Sequence, residues 1–193
     1  MKKLLITGFD PFGGECINPA WEAVKQLPDE IGAYRLHKVQ IPTVFGVAAQ
    51  SVLDVAKKEK PDAILCIGQA GGRAAVTPEY VAINLRHAGI CDNAGKQPLD
   101  EPVVKDAPKA YFSTLPVRQM EKAIEVAGIR AAVSYSAGTF VCNDVLYTLL
   151  HFLPNTPTGF VHVPFLPEQA KEGVACMPLS EVVRALESAI QVL

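Results

Sequence analysis

Short, almost wholly apolar runs alternate along the chain with stretches whose apolar residues recur every three or four positions, which predicts strands separated by helices. "KLLITGF" is the first strand. "NPAWEAVKQL" starts a helix in which the Asn18 side chain caps the end and Pro19 takes the first position, where no amide donor is needed. "YRLHKVQI" is a second strand, and "TVFGVAAQSVLDVAKKEK" a helix with Val44, Val47, Ala48, Ser51 and Val55 on one face and its lysines near the carboxyl end. "AILCIG" has the unbroken apolarity of a strand covered on both faces and runs directly into "QAGGR". After a further strand, "YVAINL", residues 86–116 are rich in Gly, Pro, Asp and Asn with little period, so they form a functional loop or flap or hold short strands of unassigned position. Then come a helix, "VRQMEKAIEVAG", with Val117, Met120, Ile124 and Ala127 on one face, a strand "AAVSYSA", a helix "VCNDVLYTLLHFL", a strand "TGFVHVPF" and a last helix capped by Ser180.

Such βα alternation calls for an α/β sandwich with a mostly parallel sheet, whose sites gather at the carboxyl ends of the strands. With 193 residues, 49% of them apolar, and no linker or repeat, a single domain spanning 1–193 is expected. A net charge of -2 and the lack of a basic block argue against a nucleic-acid partner. The apolar run in "MKKLLITGFDPFGG" stops too early for a secretory signal, and no run approaches the roughly 18 residues of a membrane helix, so no membrane association is expected. Five cysteines, odd in number and without CxxC spacing, point to a reducing cytoplasm.

Three glycine-containing turns, "GFDPFGG", "GQAGGR" and "SAGTFVC", follow expected strands and should open on one sheet edge. Neither GxxxxGK[ST] nor GxGxxG is present, which leaves a phosphate-binding reading weak. Cys142 falls where a strand passes into a helix, and a helix amino end stabilises a thiolate and aims amides at an oxyanion. A buried structural thiol is the competing account for Cys142, as it is the natural one for Cys66 inside "AILCIG". Among the histidines, His162 ends an apolar strand stopped by Pro164 and so faces the same edge, whereas His37, His87 and His151 read as surface or helix-end residues. A lone strand histidine is also a common core residue, so the pattern alone leaves its role open.

"GFDPFGGECINPAWEAV", "PTVFG", "CIGQAGGRAAVTPEYVAIN", "DNAGKQP", "AVSYSAGTFVCNDVLY" and "GFVHVPFLPEQ" resemble, in order and across nearly the whole chain, the signature segments of pyrrolidone carboxyl peptidases (pyroglutamyl peptidase type I). The resemblance implies a cysteine exopeptidase with a three-layer α/β/α sandwich around a twisted sheet. It further implies an intracellular, often homotetrameric enzyme that removes N-terminal pyroglutamate from peptides without a metal or organic cofactor. By the same resemblance Cys142 is the nucleophile, His162 the general base and Glu79 the acid that orients the imidazole. Phe9, Phe12, Phe140 and Val141 match positions lining an apolar lactam pocket, Asn18 a buried polar group and Gln69 a pocket-lining one. On its own pattern Glu79 would be a solvated strand-edge carboxylate. Tyr80 and Gly89 stand where members commonly carry Arg, Cys91 where they carry Pro and Asp144 where they carry His; Arg86 is a candidate to replace the lost charge. Two rivals are a phosphorylase-like transferase using the glycine turns, and a binder that keeps the pocket without turnover.

Overall fold

A computed structural model describes residues 1–193. In chain order the elements are β1 (Lys2–Phe9), α1 (Pro19–Gln26), β2 (Glu30–Ile31), β3 (Tyr34–Ile41), α2 (Val47–Glu59), β4 (Ala63–Gln69), β5 (Thr77–Pro78), β6 (Val81–Ile83) and β7 (Ala110–Phe112). They continue with α3 (Val117–Val126), α4 (Val141–Phe152), β8 (Thr158–Val163) and α5 (Leu179–Ile190). One six-stranded sheet runs β2-β3-β1-β4-β8-β5, with β3, β1, β4 and β8 mutually parallel and the two short edge strands antiparallel to their neighbours.

Alternation along β1 explains the layering. Leu4 and Ile6 point into a core shared with Ala20, Val24, Met120, Ile124, Val182 and Leu186, so α1, α3 and α5 cover that face. Leu5 and Phe9 point the other way, against Ala49, Val52, Val145 and Leu149, so α2 and α4 cover the second. The result is the three-layer α/β/α sandwich. Layer spacing is tight enough that Gly8 admits no side chain: a Cβ there would stand 2.7 Å from the Trp21 Cα of α1. No helix is long and apolar enough to cross a membrane.

Several expectations change. Helix α2 begins at Val47, not Thr43; Val44 precedes it, Val47 is exposed, and the buried stripe is Ala48, Ala49, Val52 and Ala56. Long-range bonds decide this, because the amides of Phe45 and Gly46 donate to the carboxylates of Asp92 and Asp144 and hold the segment outside the helix. "AAVSYSA" forms only isolated parallel bridges, Ala131 to Val76 and Ser134 to Glu79. The ladder starts properly, with Val76 N donating to Arg130 O, Ala132 N to Val76 O, Ser134 N to Pro78 O and Tyr80 N to Ser134 O. Pro78 has no amide for the Ala132 carbonyl, and the strand is interrupted there. Ser180 lies inside α5, which begins after Pro178 and has no side-chain cap.

The stretch 86–116 contains β7, paired with β6 on the α4 side of the molecule. It is also pinned at intervals. Arg86 and Glu101 exchange backbone hydrogen bonds, the Asn84 amide group bonds Val104 and Ala107, and Asn93 reaches back to Asp10 and Pro11. This is a braced surface layer and not a free flap.

Candidate functional site

The carboxyl ends of the parallel strands β1, β4 and β8 lie on one edge, and β4 and β8 place Gly68 and His162 directly opposite each other. Cys142 enters from above as the second residue of α4. Its sulfur rests over Gly68: a Cβ at that position would be 2.9 Å from Sγ and 2.7 Å from the Phe160 ring. Only glycine lets the sulfur descend between the strands, and Phe160 in turn packs on the His162 ring with centroids 4.8 Å apart. The amides of Val141, Cys142 and Asn143, in the first turn of α4, have no partner within their helix and so are available to an anion at the sulfur.

His162 is held from behind. Its Nδ1 lies 2.7 Å from Oε1 of Glu79, a residue with no exposed surface that sits between β5 and β6. A carboxylate can only accept, so Nδ1 carries the proton and Nε2 is left as the basic atom. Burial alone would raise the proton affinity of Glu79; the hydrogen bond and charge of His162, with help from Ser134 and Arg73, outweigh it and hold the carboxyl below its ordinary range. The Ser134 hydroxyl donates to the Ser136 carbonyl at 3.2 Å. Glu79 Oε2 is buried and accepts no hydrogen bond.

The resting sulfur differs from the expectation of a helix-stabilised thiolate. Burial, then the nearby Glu79 charge, push the Cys142 thiol up, against a smaller opposing effect of Arg73. A neutral thiol therefore has to give up its proton as it attacks, which makes an adjacent base indispensable. Cys66 is wholly buried and pushed up to about 12 by burial, as inert core sulfur should be.

The family model for pyroglutamyl peptidase matches residues 2–193. The chain belongs to the pyroglutamyl peptidase family. It is 52% identical over 190 residues to a pyrrolidone-carboxylate peptidase of Enterococcus faecalis, covering 95% of this chain and 89% of that one. A protein of the same name from Levilactobacillus brevis is 50% identical, covering 98% and 96%. Among solved structures, pyroglutamyl peptidase I of Bacillus amyloliquefaciens superposes with a TM-score of 0.95 at 44% identity, covering 100% of this chain and 96% of that one. The pyrrolidone carboxyl peptidase of Thermococcus litoralis gives 0.95 at 37%, covering 100% and 93%.

The other positions matched to the pyroglutamyl peptidase pattern fall into two groups. Phe12 and Phe140 are half-buried and meet with ring centroids 5.9 Å apart, and Phe45, which the sequence did not single out, closes edge-on against Phe140 at 5.2 Å. Phe9 and Val141 are fully packed core; Phe9 backs the site by lying 6.2 Å from Phe160. Asn18 is both cap and brace, accepting from Ala20 N and donating to Asp10 O. Gln69, last in β4, accepts from the Gln169 amide at 3.1 Å.

Departures from the pyroglutamyl peptidase pattern separate as clearly. Tyr80 turns outward, 5.5 Å from Phe112 and 5.8 Å from Tyr135, away from Glu79. Gly89 and Cys91 are exposed, and a Cβ on Gly89 would meet nothing within 4 Å. Asp144 is buried and paired with Arg86 at 2.6 Å while accepting from Gly46 N at 2.8 Å. Arg86 thus neutralises Asp144 and its charge is not free. Arg73, Asn143 and Asp92 escaped the sequence analysis, although Asn143 directly follows the cysteine; its amide group clamps Ile83 and Leu85 beside the first turn of α4.

Proposed function

We propose that the protein hydrolyses the amide bond following an N-terminal pyroglutamyl residue of peptides, through an acyl-enzyme on Cys142. The observation that carries this is the seat of the Cys142 sulfur over Gly68, beside a His162 whose Nδ1 is engaged by Glu79. Nε2 of His162 takes the thiol proton as Sγ adds to the pyroglutamyl carbonyl carbon. Free amides of the first turn of α4 receive the oxyanion. Collapse of the tetrahedral adduct breaks the C–N bond, and the imidazolium returns its proton to the departing amine, leaving a thioester. Water, deprotonated by the same imidazole, then releases pyroglutamate and regenerates the thiol.

The aromatic faces of Phe12, Phe140 and Phe45 suit the uncharged, flat lactam ring. Turnover of a pyroglutamyl chromogenic amide, measured before and after thiol alkylation, tests the proposal: the rate should be high before and lost after, and alkylation-resistant turnover would exclude the acyl-enzyme. A cytoplasmic setting fits five cysteines that are all unpaired, and a homotetramer is what the family resemblance implies; light scattering at enzyme concentrations used for assay checks the assembly.

A further inference from the structure

The turn after β4 carries Arg73, a residue with no part in the steps above. Its Nη1 donates to Thr77 Oγ1 at 2.6 Å and to Glu79 Oε1 at 2.7 Å, and its Nη2 donates to the Ser136 carbonyl at 3.1 Å. The Arg73 side chain is 32% exposed while the Glu79 side chain it meets is fully buried. Three pieces of chain are joined by one planar group: the end of β4, the segment bearing Glu79, and the segment that leads from Ser136 into Cys142. Glu79 Oε1 receives both Arg73 and His162, so one oxygen is shared between the base's support and this cation.

We infer that Arg73 is a positioning residue for the Cys142–His162 pair, fixing the distance between the Glu79 support and the nucleophile's turn and offsetting the negative charge that Glu79 directs at the sulfur. The inference rests on the proposed acyl-enzyme mechanism. Its physical basis is that the buried carboxylate would otherwise face the reacting sulfur as a single uncompensated charge, opposing formation of thiolate character there. The charged and titratable groups facing the pair are few. Glu79 approaches from the β5–β6 junction, Arg73 from the turn after β4 and Cys66 from β4 itself. Asp144, on the same helix as Cys142, is turned to Arg86 and Gly46. Lysine could supply the charge at position 73 but not the fork, because a single ammonium cannot meet Glu79, Thr77 and Ser136 in the same plane.

The test compares Arg73→Met and Arg73→Lys with wild type in kcat, KM and the pH dependence of kcat/KM on the pyroglutamyl amide. Arg73→Met should lower kcat roughly 10- to 100-fold with KM little changed, as expected for lost orientation of an acid-base pair. Its acid limb should move to higher pH by about half a unit to one unit, because removing a nearby cation makes the pair hold its proton more tightly. Arg73→Lys should return the limb to its wild-type position while recovering only part of kcat. Wild-type kcat and limb in Arg73→Met would overturn the inference, as would an equal loss in both variants with no movement of the limb. Should Arg73→Met fail to fold by circular dichroism, Arg73→Lys alone decides: a reduced kcat with an unmoved limb supports the positioning fork, and wild-type kcat refutes it. Activity surviving in Cys142→Ala would instead overturn the mechanism itself, so the two failures are distinct.

Discussion

At the residue scale, two cysteines of different role lie close together, Cys66 within β4 and Cys142 on α4 with its sulfur over Gly68 of that same strand. Cys142→Ala should abolish hydrolysis, whereas Cys66→Ala, if folded, should retain most of it; assays of both purified variants against the pyroglutamyl amide check this. Glu79→Gln should keep His162 packed but lose the charge that fixes its tautomer, lowering turnover by about 10²-fold, and an unchanged pH-rate profile would remove Glu79 from its role. The aromatic wall of Phe12 and Phe140 favours a neutral lactam over an N-terminal ammonium, whose burial without a partner is costly. The pyroglutamyl version of one amide should therefore exceed the prolyl and glutaminyl versions in kcat/KM by roughly a hundredfold, about 3 kcal/mol. Comparable constants for the three would refute selectivity. What was legible at this scale was local: Asn18 and Pro19 announce α1, and the "TFVCN" segment places Cys142 at a helix start. The burial of Glu79 was not legible, because Thr77, Pro78 and Tyr80 around it have the composition of an exposed edge; only pairing with β8 and 130–134 encloses it.

At the element scale, long-range polar contacts moved boundaries that periodicity alone set elsewhere. The helical pattern of "TVFGVAAQSVL" is genuine, but Asp92 and Asp144, distant in sequence, take the amides of Phe45 and Gly46 and delay α2 to Val47. Likewise the apolar alternation of "AAVSYSA" is real and the missing Pro78 donor breaks its ladder. Neither cause lies within the segment it alters. The amino end of α4 depends on the same contacts, through the Arg86–Asp144 pair. Arg86→Met, which leaves Asp144 buried without its cation, should destabilise the fold by about 3 kcal/mol in urea denaturation. Asp144→Asn should cost less, because the amide oxygen can still accept from Gly46 and the partly exposed Arg86 side chain keeps access to water.

At the scale of the whole molecule, stability is tied to pH through buried carboxylates. Burial would raise Asp92, but the backbone amides of Lys96, Phe45 and Ala94 and the Lys96 charge hold it below its ordinary range, and Glu79 is held low as described. Both groups bind protons less readily folded than unfolded, so their contribution is complete above the ordinary carboxylate range and lost as pH falls through their lowered folded values. Tm should be flat near neutrality and fall steeply in acid, and Asp92→Asn should reduce that slope in a thermal series from neutral to acidic pH. The order β2-β3-β1-β4-β8-β5 carries a consequence for how the protein is made. Strand β1 lies inside the sheet, and the edge of β4 that Ile64 offers to Thr158 stays bare until β8, made later, leaves the ribosome. A nascent chain paused before that point exposes an apolar strand edge and lacks His162, so translational stalling there should yield aggregates in place of partial enzyme.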